Sequence, residues 1–476
     1  MSNLSDLLPT GGGQNAVDFV ASGTLGSGVT VALNNDGTVS VVATSGATGS
    51  TTTFNSAYTI IGDTGTVIYD TNTNKVVIVW TDYPNRYGFA VVGTVSGMSI
   101  SFGTPVVWHS SAVFGTATAF DYSSNRFAIL YRDANTAELR SIVGTVSGVS
   151  ITFGTQNAIA SNVSSTITLS YSGSANRYVA AYETGGNGQF NVGALSGTNI
   201  SWNTATTVTG GFGDRVSIYE PTAQKVVFFY RNSSSYLTSI VGTVSSTSVT
   251  FGSPVVVLSE YSDYLSAAYD TTTNKVIVSG RNIISGVQSG SSFVGTVSGT
   301  AISFGTRAIY TTGTNYYSTT GYDSSLNKII VIWRDDTNSN YGTYKLGTVS
   351  GTDISFGGSV VLITTNTGSP TILYDPDTNT NVVGYTDFSD SNYGKAFIFT
   401  PIVSNITDFI GITAEAIADT ATGPVNVYGG INEAQSGLTI GSDYYVQADG
   451  SIATTVSDVK IGQAISATTI NIRDLT

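Results

Sequence analysis

Short apolar stretches, broken every few residues by glycine, asparagine or serine, run through almost the whole chain. In one representative segment the β-branched and aromatic residues fall into four such stretches. They predict strands at about Thr116–Asp121, Arg126–Tyr131, Leu139–Ser147 and Ser150–Ala158, joined by short polar turns. We therefore expect an all-β protein without helices.

The same four-strand pattern occurs seven times, in a unit of about 50 residues. One marker is an aromatic residue in the predicted fourth strand, at Phe54, Phe102, Phe153, Trp202, Phe251, Phe304 and Phe356. The other is a mostly acidic turn, typically Asp-x-x-x-Asn-Lys, which follows Tyr69, Phe120, Tyr171, Tyr219, Tyr269, Tyr322 and Tyr374. Asp and Asn bond their own backbone, which predicts a hairpin turn between the first and second strands. Glycine with positive φ makes Val-Ser-Gly the turn between the third and fourth.

A four-stranded unit repeated without helices is typical of a β-propeller. We predict a seven-bladed β-propeller over residues 46–403. A β-solenoid is the alternative, but its repeats are usually shorter and are not built from hairpins. A fourth-strand sequence, Ser50–Ile60, precedes the first complete unit, and the last unit ends with a third strand at Lys395–Val403. The N-terminal strand is therefore predicted to complete the last blade and close the ring.

The segments outside the repeats also alternate apolar and polar residues, with Asp-Gly turns at Asp36 and Asp449. Each is small for a stable domain of its own. We predict that 14–45 and 404–476 form one small discontinuous β-domain into which the propeller is inserted. Residues 1–13 are predicted to be an N-terminal anchor and linker.

Charge and rare residues exclude several classes of function. Charged residues make up 10% of the chain, and 31 acids against 18 bases give a net charge of −13, which disfavours a nucleic-acid partner. The chain has no cysteine and one histidine, so we expect no metal centre and no cofactor. No apolar run reaches membrane-spanning length and no secretory signal precedes the repeats, so we expect no membrane insertion and synthesis in a cytoplasm.

Two kinds of loop alternate along the repeats, and only one kind varies in sequence. The varied loops lie after the second and fourth strands, where a rigid scaffold usually presents its functional residues. They carry the candidate receptor- or glycan-binding aromatic residues Tyr83, Tyr87, Trp108, Tyr261, Tyr264, Tyr316, Tyr317 and Tyr341, together with His109. Flat rings with a polar edge suit sugars and protein partners. Alternatively, these rings cap the ends of the blades and pack locally, and His109 makes a polar contact.

Arginines recur at the end of the second strand, at Arg132, Arg231, Arg281 and Arg334. A cluster of this kind would suit a carboxylate or an acidic sugar, an arrangement that sialidases use. The Asp-box pattern of sialidases is absent, and Asp133 and Asp335 directly follow two of the arginines, which favours local ion pairs. No pair of acidic residues is recognisable as a glycosidase pair, so we predict that the protein is not an enzyme.

The ends of the chain read SDLLP, ASGTLGSGVTVALNNDGTVSVV, FIGITAEAIADTATGPVNVYGGI and YYVQADGSIATT. They resemble the ends of virion structural proteins of tailed bacteriophages, particularly marine ones, of the tail-fibre-like and capsid-decoration kinds. The resemblance implies a virion component, assembled in the host cytoplasm, that docks on other virion proteins. It also implies a homo-oligomer, which we expect to be a trimer. It carries no catalytic motif.

These observations predict a structural virion protein that docks through its terminal β-domain. Its propeller would be displayed for recognition of a glycan or protein on the host surface. One alternative is a capsid decoration or head-fibre protein in which the propeller is a spacer. Another is a propeller lectin or glycosidase.

Overall fold

The computed structural model describes residues 15–34, 36–61, 67–164 and 166–473. The chain divides into two compact units. The terminal unit comprises Met1–Ala47 and Pro401–Thr476, and the repeat unit comprises Thr48–Thr400. The predicted N-terminal anchor, residues 1–13, lies outside the described residues.

The regular elements of the described residues are β-strands, apart from one short 3-10 turn at Ile406–Asp408, and this confirms the predicted all-β class. The N-terminal strands are β1 (Ala16–Val20), β2 (Thr30–Leu33), β3 (Val39–Val41), β4 (Thr44–Thr48) and β5 (Thr52–Asn55). Repeat 1 contains β6 (Thr59–Ile61), β7 (Val67–Asp70), β8 (Lys75–Asp82), β9 (Gly88–Ser96), β10 (Ser99–Phe102) and β11 (Val106–His109). Repeat 2 contains β12 (Val113–Asp121), β13 (Arg126–Asp133), β14 (Leu139–Ser147), β15 (Ser150–Phe153) and β16 (Asn157–Ala160).

The strands of the next four repeats follow the same plan. Repeat 3 contains β17 (Ile167–Ser172), β18 (Arg177–Thr184), β19 (Asn187–Ser196), β20 (Asn199–Trp202) and β21 (Thr206–Val208). Repeat 4 contains β22 (Gly213–Glu220), β23 (Lys225–Arg231), β24 (Tyr236–Val244), β25 (Val249–Phe251) and the first part of β26 (Val255–Asp270). Repeat 5 contains the rest of β26 with β27 (Lys275–Ile284), β28 (Val287–Ser298), β29 (Ala301–Phe304) and β30 (Ala308–Thr311). Repeat 6 contains β31 (Asn315–Asp323), β32 (Lys328–Asp335), β33 (Tyr341–Ser350), β34 (Asp353–Phe356) and β35 (Val360–Ile363).

The C-terminal strands complete both units. Repeat 7 contains β36 (Thr367–Asp375), β37 (Thr380–Asp387) and β38 (Tyr393–Ser404). The terminal unit adds β39 (Phe409–Thr413), β40 (Thr422–Asn426), β41 (Ile431–Asn432), β42 (Asp443–Val446), β43 (Ile452–Ala453), β44 (Lys460–Ala464) and β45 (Ile470–Ile472).

Hydrogen bonding joins the strands into antiparallel sheets that follow the sequence repeats. A repeat is ordered from its first to its fourth strand, as in β12-β13-β14-β15. Repeats 4 and 5 share one nine-stranded sheet, because β26 pairs first with β24 and then with β27. The N-terminal strand β5 pairs with β38, so it lies in the sheet of repeat 7, as the sequence predicts.

The predicted strands of repeat 2 are confirmed with two differences. The first strand begins three residues earlier than expected, at Val113, and the predicted fourth strand is divided into β15 and β16. Both strands pair with β14, and the strand pairing is interrupted between them at Gly154. A side chain at Gly154 would overlap the carbonyl oxygen of Thr198 in the next repeat. The lack of a side chain at Gly154 therefore lets the neighbouring repeats approach closely.

The turn chemistry follows the predicted scheme. In repeat 2 the Asp121 carboxylate accepts the backbone N–H groups of Ser123 and Ser124 at 2.8 and 3.2 Å. Asn125 adopts a left-handed conformation with φ 53°, as does Gly148 in the turn between the third and fourth strands with φ 61°. These residues close tight hairpins that leave the strands free to pair along their length.

Neighbouring repeats pack through apolar faces. Alternate residues of β13 enter two different clusters: Phe127, Ile129 and Tyr131 pack with repeat 1, whereas Ala128 and Leu130 pack with repeat 3. Corresponding clusters join each later pair of neighbours. A further cluster packs residues of repeat 7 against residues of repeat 1, with Phe54 of β5 next to Trp80 at a centroid distance of 5.1 Å.

Both ends of the chain build the terminal unit. One of its sheets has the order β1-β40-β39-β2-β3, and the other has the order β41-β45-β44-β42-β43. The core of this unit combines Ala32 and Val42 from the N-terminal segment with Ile461 and Ile472 from the C-terminal segment. The two segments thus depend on each other for burial of their apolar residues.

The packing of repeat 7 on repeat 1 can be tested at Phe54. We expect Phe54→Ala to lower the free energy of unfolding by about 3–5 kcal/mol, because it leaves a cavity between two packed sheets. Phe228→Ala, in the cluster between repeats 3 and 4, is the matched reference with the same expected loss. Val149→Ala, at an exposed turn, should change stability by less than about 0.5 kcal/mol. Chemical denaturation gives all three values. A full loss at Phe228 with almost none at Phe54 would contradict the contact between repeats 7 and 1.

Candidate functional site

The first strands of all seven repeats line one cavity of about 230 Å³, which we call the channel. Short hydroxyl side chains dominate its wall, and they include Thr118, Thr168, Ser217, Ser266, Thr320 and Thr371. Several bond to each other across neighbouring repeats, as in the pairs Thr168–Ser217 and Ser266–Thr320, both at 2.8 Å. Each first strand runs from a varied loop to the hairpin turn before the second strand, which begins with Asp or Glu in every repeat except the third. We call these two ends of the channel the loop end and the turn end.

In repeats 2, 4, 5, 6 and 7 the first strand carries a β-bulge at the loop end. The bulge residue is Gly115 in repeat 2, whereas repeats 5 and 6 place Tyr264 and Tyr317 there, with φ values of 49° and 52°. A bulky residue in this left-handed conformation costs about 1–2 kcal/mol. Bulges re-aim side chains and are frequent beside functional sites. Both tyrosines line the channel.

Three tyrosines and two arginines form one group at the loop end, which we call the loop-end cluster. The Tyr264 ring lies 5.7 Å from Tyr316 and 5.3 Å from Tyr317, centroid to centroid. The Arg281 guanidinium lies over the rings of Tyr264 and Tyr316, at 4.9 and 4.6 Å. Arg334 lies over Tyr316 and Tyr317, at 5.0 and 5.3 Å. The cluster presents ring faces beside fixed polar groups.

Each arginine of the cluster is paired with a carboxylate. Asp263 lies opposite Arg281 across the β26–β27 pair and accepts from two of its nitrogens. Arg334 donates to both oxygens of Asp336, at 2.7 and 3.0 Å. Burial opposes the charge of Arg281, but its hydrogen bonds and charge pairing with Asp263 raise its pKa. Because two positive charges balance two negative ones, the cluster offers donors and acceptors without net charge.

The other predicted arginines do not join this cluster. Arg231 donates to the Tyr261 hydroxyl at 2.6 Å and lies 3.5 Å from Asp214. Arg132 donates to the carbonyl oxygen of Val163 at 2.7 Å. The four predicted arginines are therefore dispersed among local partners, and of these four Arg281 and Arg334 lie over the same tyrosine ring.

The sequence favours ion pairs of Arg132 with Asp133 and of Arg334 with Asp335, and this prediction is wrong. Neighbouring residues of a strand point to opposite faces, so Asp133 and Asp335 turn away from Arg132 and Arg334. Asp133 caps its own turn and lies 3.3 Å from His109 Nε2. Asp335 accepts the N–H and hydroxyl of Thr337.

The expected exposure of Trp108 is also wrong, whereas His109 makes polar contacts, as the alternative prediction states. The two residues are 3% and 8% exposed. The Trp108 ring occupies the space left by Gly88, contacts Tyr131 at 5.0 Å and donates its indole N–H to the Phe89 carbonyl. His109 Nδ1 lies 3.2 Å from the Gln156 side-chain oxygen. Both belong to the packing of β11 and cannot contact a large external ligand.

The remaining predicted tyrosines lie at separate places. Tyr83 is 51% exposed and packs against Tyr58 at 4.7 Å. Tyr87 and Tyr341 are half-buried at the starts of third strands, and Tyr261 is half-buried beside Arg231. The structure therefore brings together Tyr264, Tyr316 and Tyr317 but not the rest.

Sequence reasoning missed Asp263, Asp336 and the hydroxyl wall of the channel. Asp263 directly precedes Tyr264 in the first strand, so a register alignment of repeats 5 and 6 would have placed it opposite Arg281. Asp336 has no such signal, since its contact depends on the turn after β32. The hydroxyl wall has a weak signal, because serine and threonine are abundant throughout the chain.

In the part of the chain that the structure describes, no group of three or more His, Asp or Glu residues is placed to hold a metal ion. No helix of those residues is long and apolar enough to cross a membrane.

Comparisons with known proteins give structural similarities alone. No protein-family model and no curated sequence matches the chain. A protein from Lactobacillus plantarum aligns over 74% of this chain and 99% of its own, with TM-score 0.46 and 9% identity. A mutant of the NanB sialidase from Streptococcus pneumoniae aligns over 74% and 69%, with TM-score 0.41 and 10% identity. AofleA from Arthrobotrys oligospora aligns over 71% and 97%, with TM-score 0.40 and 8% identity. Similarities at this level carry no argument about ligand or activity.

The backbone strain at Tyr317 can be measured by comparing two substitutions. Both Tyr317→Ala and Tyr317→Gly remove the ring, but only glycine is relaxed at φ 52°. We expect the glycine variant to be more stable than the alanine variant by about 1 kcal/mol in chemical denaturation. At Tyr316, where φ is not positive, the order should reverse. Equal stabilities of the two Tyr317 variants would contradict the strained bulge.

Proposed function

We propose that the repeat unit is a seven-bladed β-propeller, inserted in the sequence of the terminal unit, which binds glycans at the loop end of its channel. Seven core clusters support this architecture, one for each pair of neighbouring repeats including repeats 7 and 1. The cavity lined by the first strand of every repeat supports it too. The pairing of β5 with β38 supplies the closing strand.

The observation that carries the binding function is the placement of Tyr264 and Tyr317. Both rings are held at the channel by a strained backbone conformation that glycine would adopt without cost. Packing alone does not require tyrosine at this position, because the equivalent bulges of repeats 2 and 7 use Gly115 and Ser369. Strain retained beside a cavity supports a role in contacting a ligand.

The chemistry of the loop-end cluster favours an uncharged or weakly charged sugar. Tyrosine faces pack against the C–H face of a sugar ring, and paired Arg and Asp side chains exchange hydrogen bonds with its hydroxyl groups. Arg281 and Arg334 are already bound bidentately by carboxylates. A carboxylate of an acidic sugar would have to compete with Asp263 and Asp336 for them, so the acidic-sugar hypothesis loses its main support.

We further propose that this binding is non-enzymatic. A glycosidase needs one carboxyl group that can hold a proton and a second that can attack or activate water. Asp263 and Asp336 each form an ion pair with an arginine, so neither carboxyl group is free to attack a sugar or to activate water. The single histidine is buried in β11 and lies outside the cluster.

The biological context that we propose is the surface of a phage particle, with the terminal unit docked on other virion proteins. The resemblance of the chain ends to virion proteins motivates this proposal. An additional support is the edge strand β1, in which Val17 and Val20 are 47% and 41% exposed. An apolar edge strand is a pairing surface that a soluble monomer normally avoids.

Glycan binding can be tested on an array of neutral and acidic glycans with the protein displayed multivalently, since each site is expected to be weak. Tyr264→Ala and Tyr317→Ala should each weaken binding about 2- to 12-fold through loss of ring stacking. Tyr83→Ala, an exposed tyrosine of repeat 1, is the matched control and should bind like the parent protein.

Two results would contradict the proposal. One is the absence of binding to any glycan by a folded, multivalent sample. The other is equal binding by the parent protein and both cluster variants. If the parent protein hydrolyses a glycan of the array and the Arg334→Ala variant does not, the function is catalysis rather than binding alone.

The proposed role in a phage particle can be tested through the oligomeric state of the protein. We expect light scattering to give a homotrimer and the Val17→Asp/Val20→Asp variant to be a folded monomer, because two charges on β1 oppose pairing at that edge. The matched pair of substitutions Val107→Asp and Val149→Asp, at exposed positions of the repeat unit, should leave the trimer intact. A monomeric parent protein would contradict this oligomer.

A further inference from the structure

A second cleft opens at the turn end, opposite the loop-end cluster. Its volume is about 500 Å³, and it shares Val67 and Thr118 with the channel. Its aromatic lining consists of Tyr69, Phe120, Tyr122, Tyr322 and Tyr374. These residues come from repeats 1, 2, 6 and 7, so the cleft exists only because those repeats converge there.

Tyr122 is unlike its counterparts in the other repeats. The residue after the acidic turn position is otherwise small or proline: Thr71, Gly173, Pro221, Thr271, Ser324 and Pro376. Tyr122 is 64% exposed and touches Phe120 edge-on at 5.2 Å. An exposed ring at a position that six other turns fill with small residues or proline adds nothing to turn formation. It adds a wall to the cleft.

Carboxylates lie directly behind the aromatic lining. Asp70, Asp121, Asp323 and Asp375 each follow a lining aromatic residue, and Asp270 precedes the lining residue Thr271. All five are almost fully buried. Each accepts two backbone N–H groups of its own turn. Burial raises the pKa of Asp121, but its hydrogen bonds with Ser123, Tyr171 and Ser124 outweigh this and lower it.

The negative charge of these turns is not neutralised locally. Among the ion pairs of the described residues, none involves any of the five aspartates. Burial and the nearby Asp375 carboxylate raise the pKa of the lining residue Tyr69. The negative charge of these turns therefore acts on the aromatic lining. The lining residues that the structure describes include no charged side chain. A ligand in this cleft therefore meets aromatic faces with negative charge behind them.

We propose that the turn-end cleft binds a small organic cation of the alkylammonium class, with the Tyr122 ring as one face of its site. A cation gains both from the ring quadrupoles and from the unpaired carboxylates. An anion is repelled, and a neutral molecule of the same shape gains only the apolar contact. This site is separate from the loop-end cluster and does not depend on glycan binding there.

The test compares choline with its uncharged isostere 3,3-dimethyl-1-butanol, using saturation-transfer NMR and calorimetry on the full chain. We expect choline to bind about 2- to 30-fold more tightly than the alcohol, the range of a cation–π contribution. Equal affinities would overturn the proposal in favour of a merely apolar cleft. No binding of choline at millimolar concentration would overturn it outright.

Variants locate the site. Tyr122→Ala should lose most of the preference for choline, whereas Tyr122→Phe should keep it, because phenylalanine preserves the ring face. Tyr428→Ala, an equally exposed tyrosine of the terminal unit, is the matched control and should not change choline binding. Tyr264→Ala should also leave it unchanged. A loss in Tyr264→Ala with none in Tyr122→Ala would place the cation at the loop end and overturn the proposal.

Discussion

A sheet that is apolar on both faces needs a packing partner on each face, and this constraint governs the repeat unit. The second strand of each repeat shows it most clearly, since consecutive residues such as Phe127 and Ala128 enter clusters on opposite sides of the sheet. Each repeat therefore needs a neighbour on either side. The packing of repeat 7 on repeat 1 supplies the last neighbour, so neither end of the series exposes an apolar face. Strand β5 serves this contact twice, through its pairing with β38 and through the Phe54 ring.

The same constraint decides where chemistry can occur. The faces of the sheets are filled by packing, which leaves the channel, the loops and the outer fourth strands as accessible surface. The wall of the channel is made of short hydroxyl groups that bond to each other, so its specificity is low. Distinct chemistry appears only at its two ends. Tyrosines with paired arginines lie at one end, and tyrosines with buried carboxylates lie at the other.

Features set by local physics could be predicted from the sequence. The strands of repeat 2, the Asx turn at Asp121 and the positive φ of Gly148 all follow from propensity and turn chemistry. Features that depend on which face a residue occupies were harder to predict. Trp108 lies within a strand of only four residues, where a shift of one position decides between solvent and core. The bulges that aim Tyr264 and Tyr317 have no sequence signature, because glycine occupies the equivalent position in one repeat and tyrosine in two others.

The glycine that follows most of the fourth-strand aromatic residues has a consequence for how such a chain can change over time. Gly103, Gly154 and Gly305 each face a backbone carbonyl in the next repeat, at Val149, Thr198 and Thr352, and Gly49 faces Met98 of repeat 1 in the same way. At Gly103, Gly154 and Gly305 both halves of the junction thus lie in the same short repeated phrase, one as its Phe-Gly end and the other as its Ser-Gly-x turn. Recombination between repeats keeps a junction of this kind intact as long as the phrase is kept. The varied loops can then be exchanged one repeat at a time. The constancy of the repeated phrase thus permits the diversity of the loops.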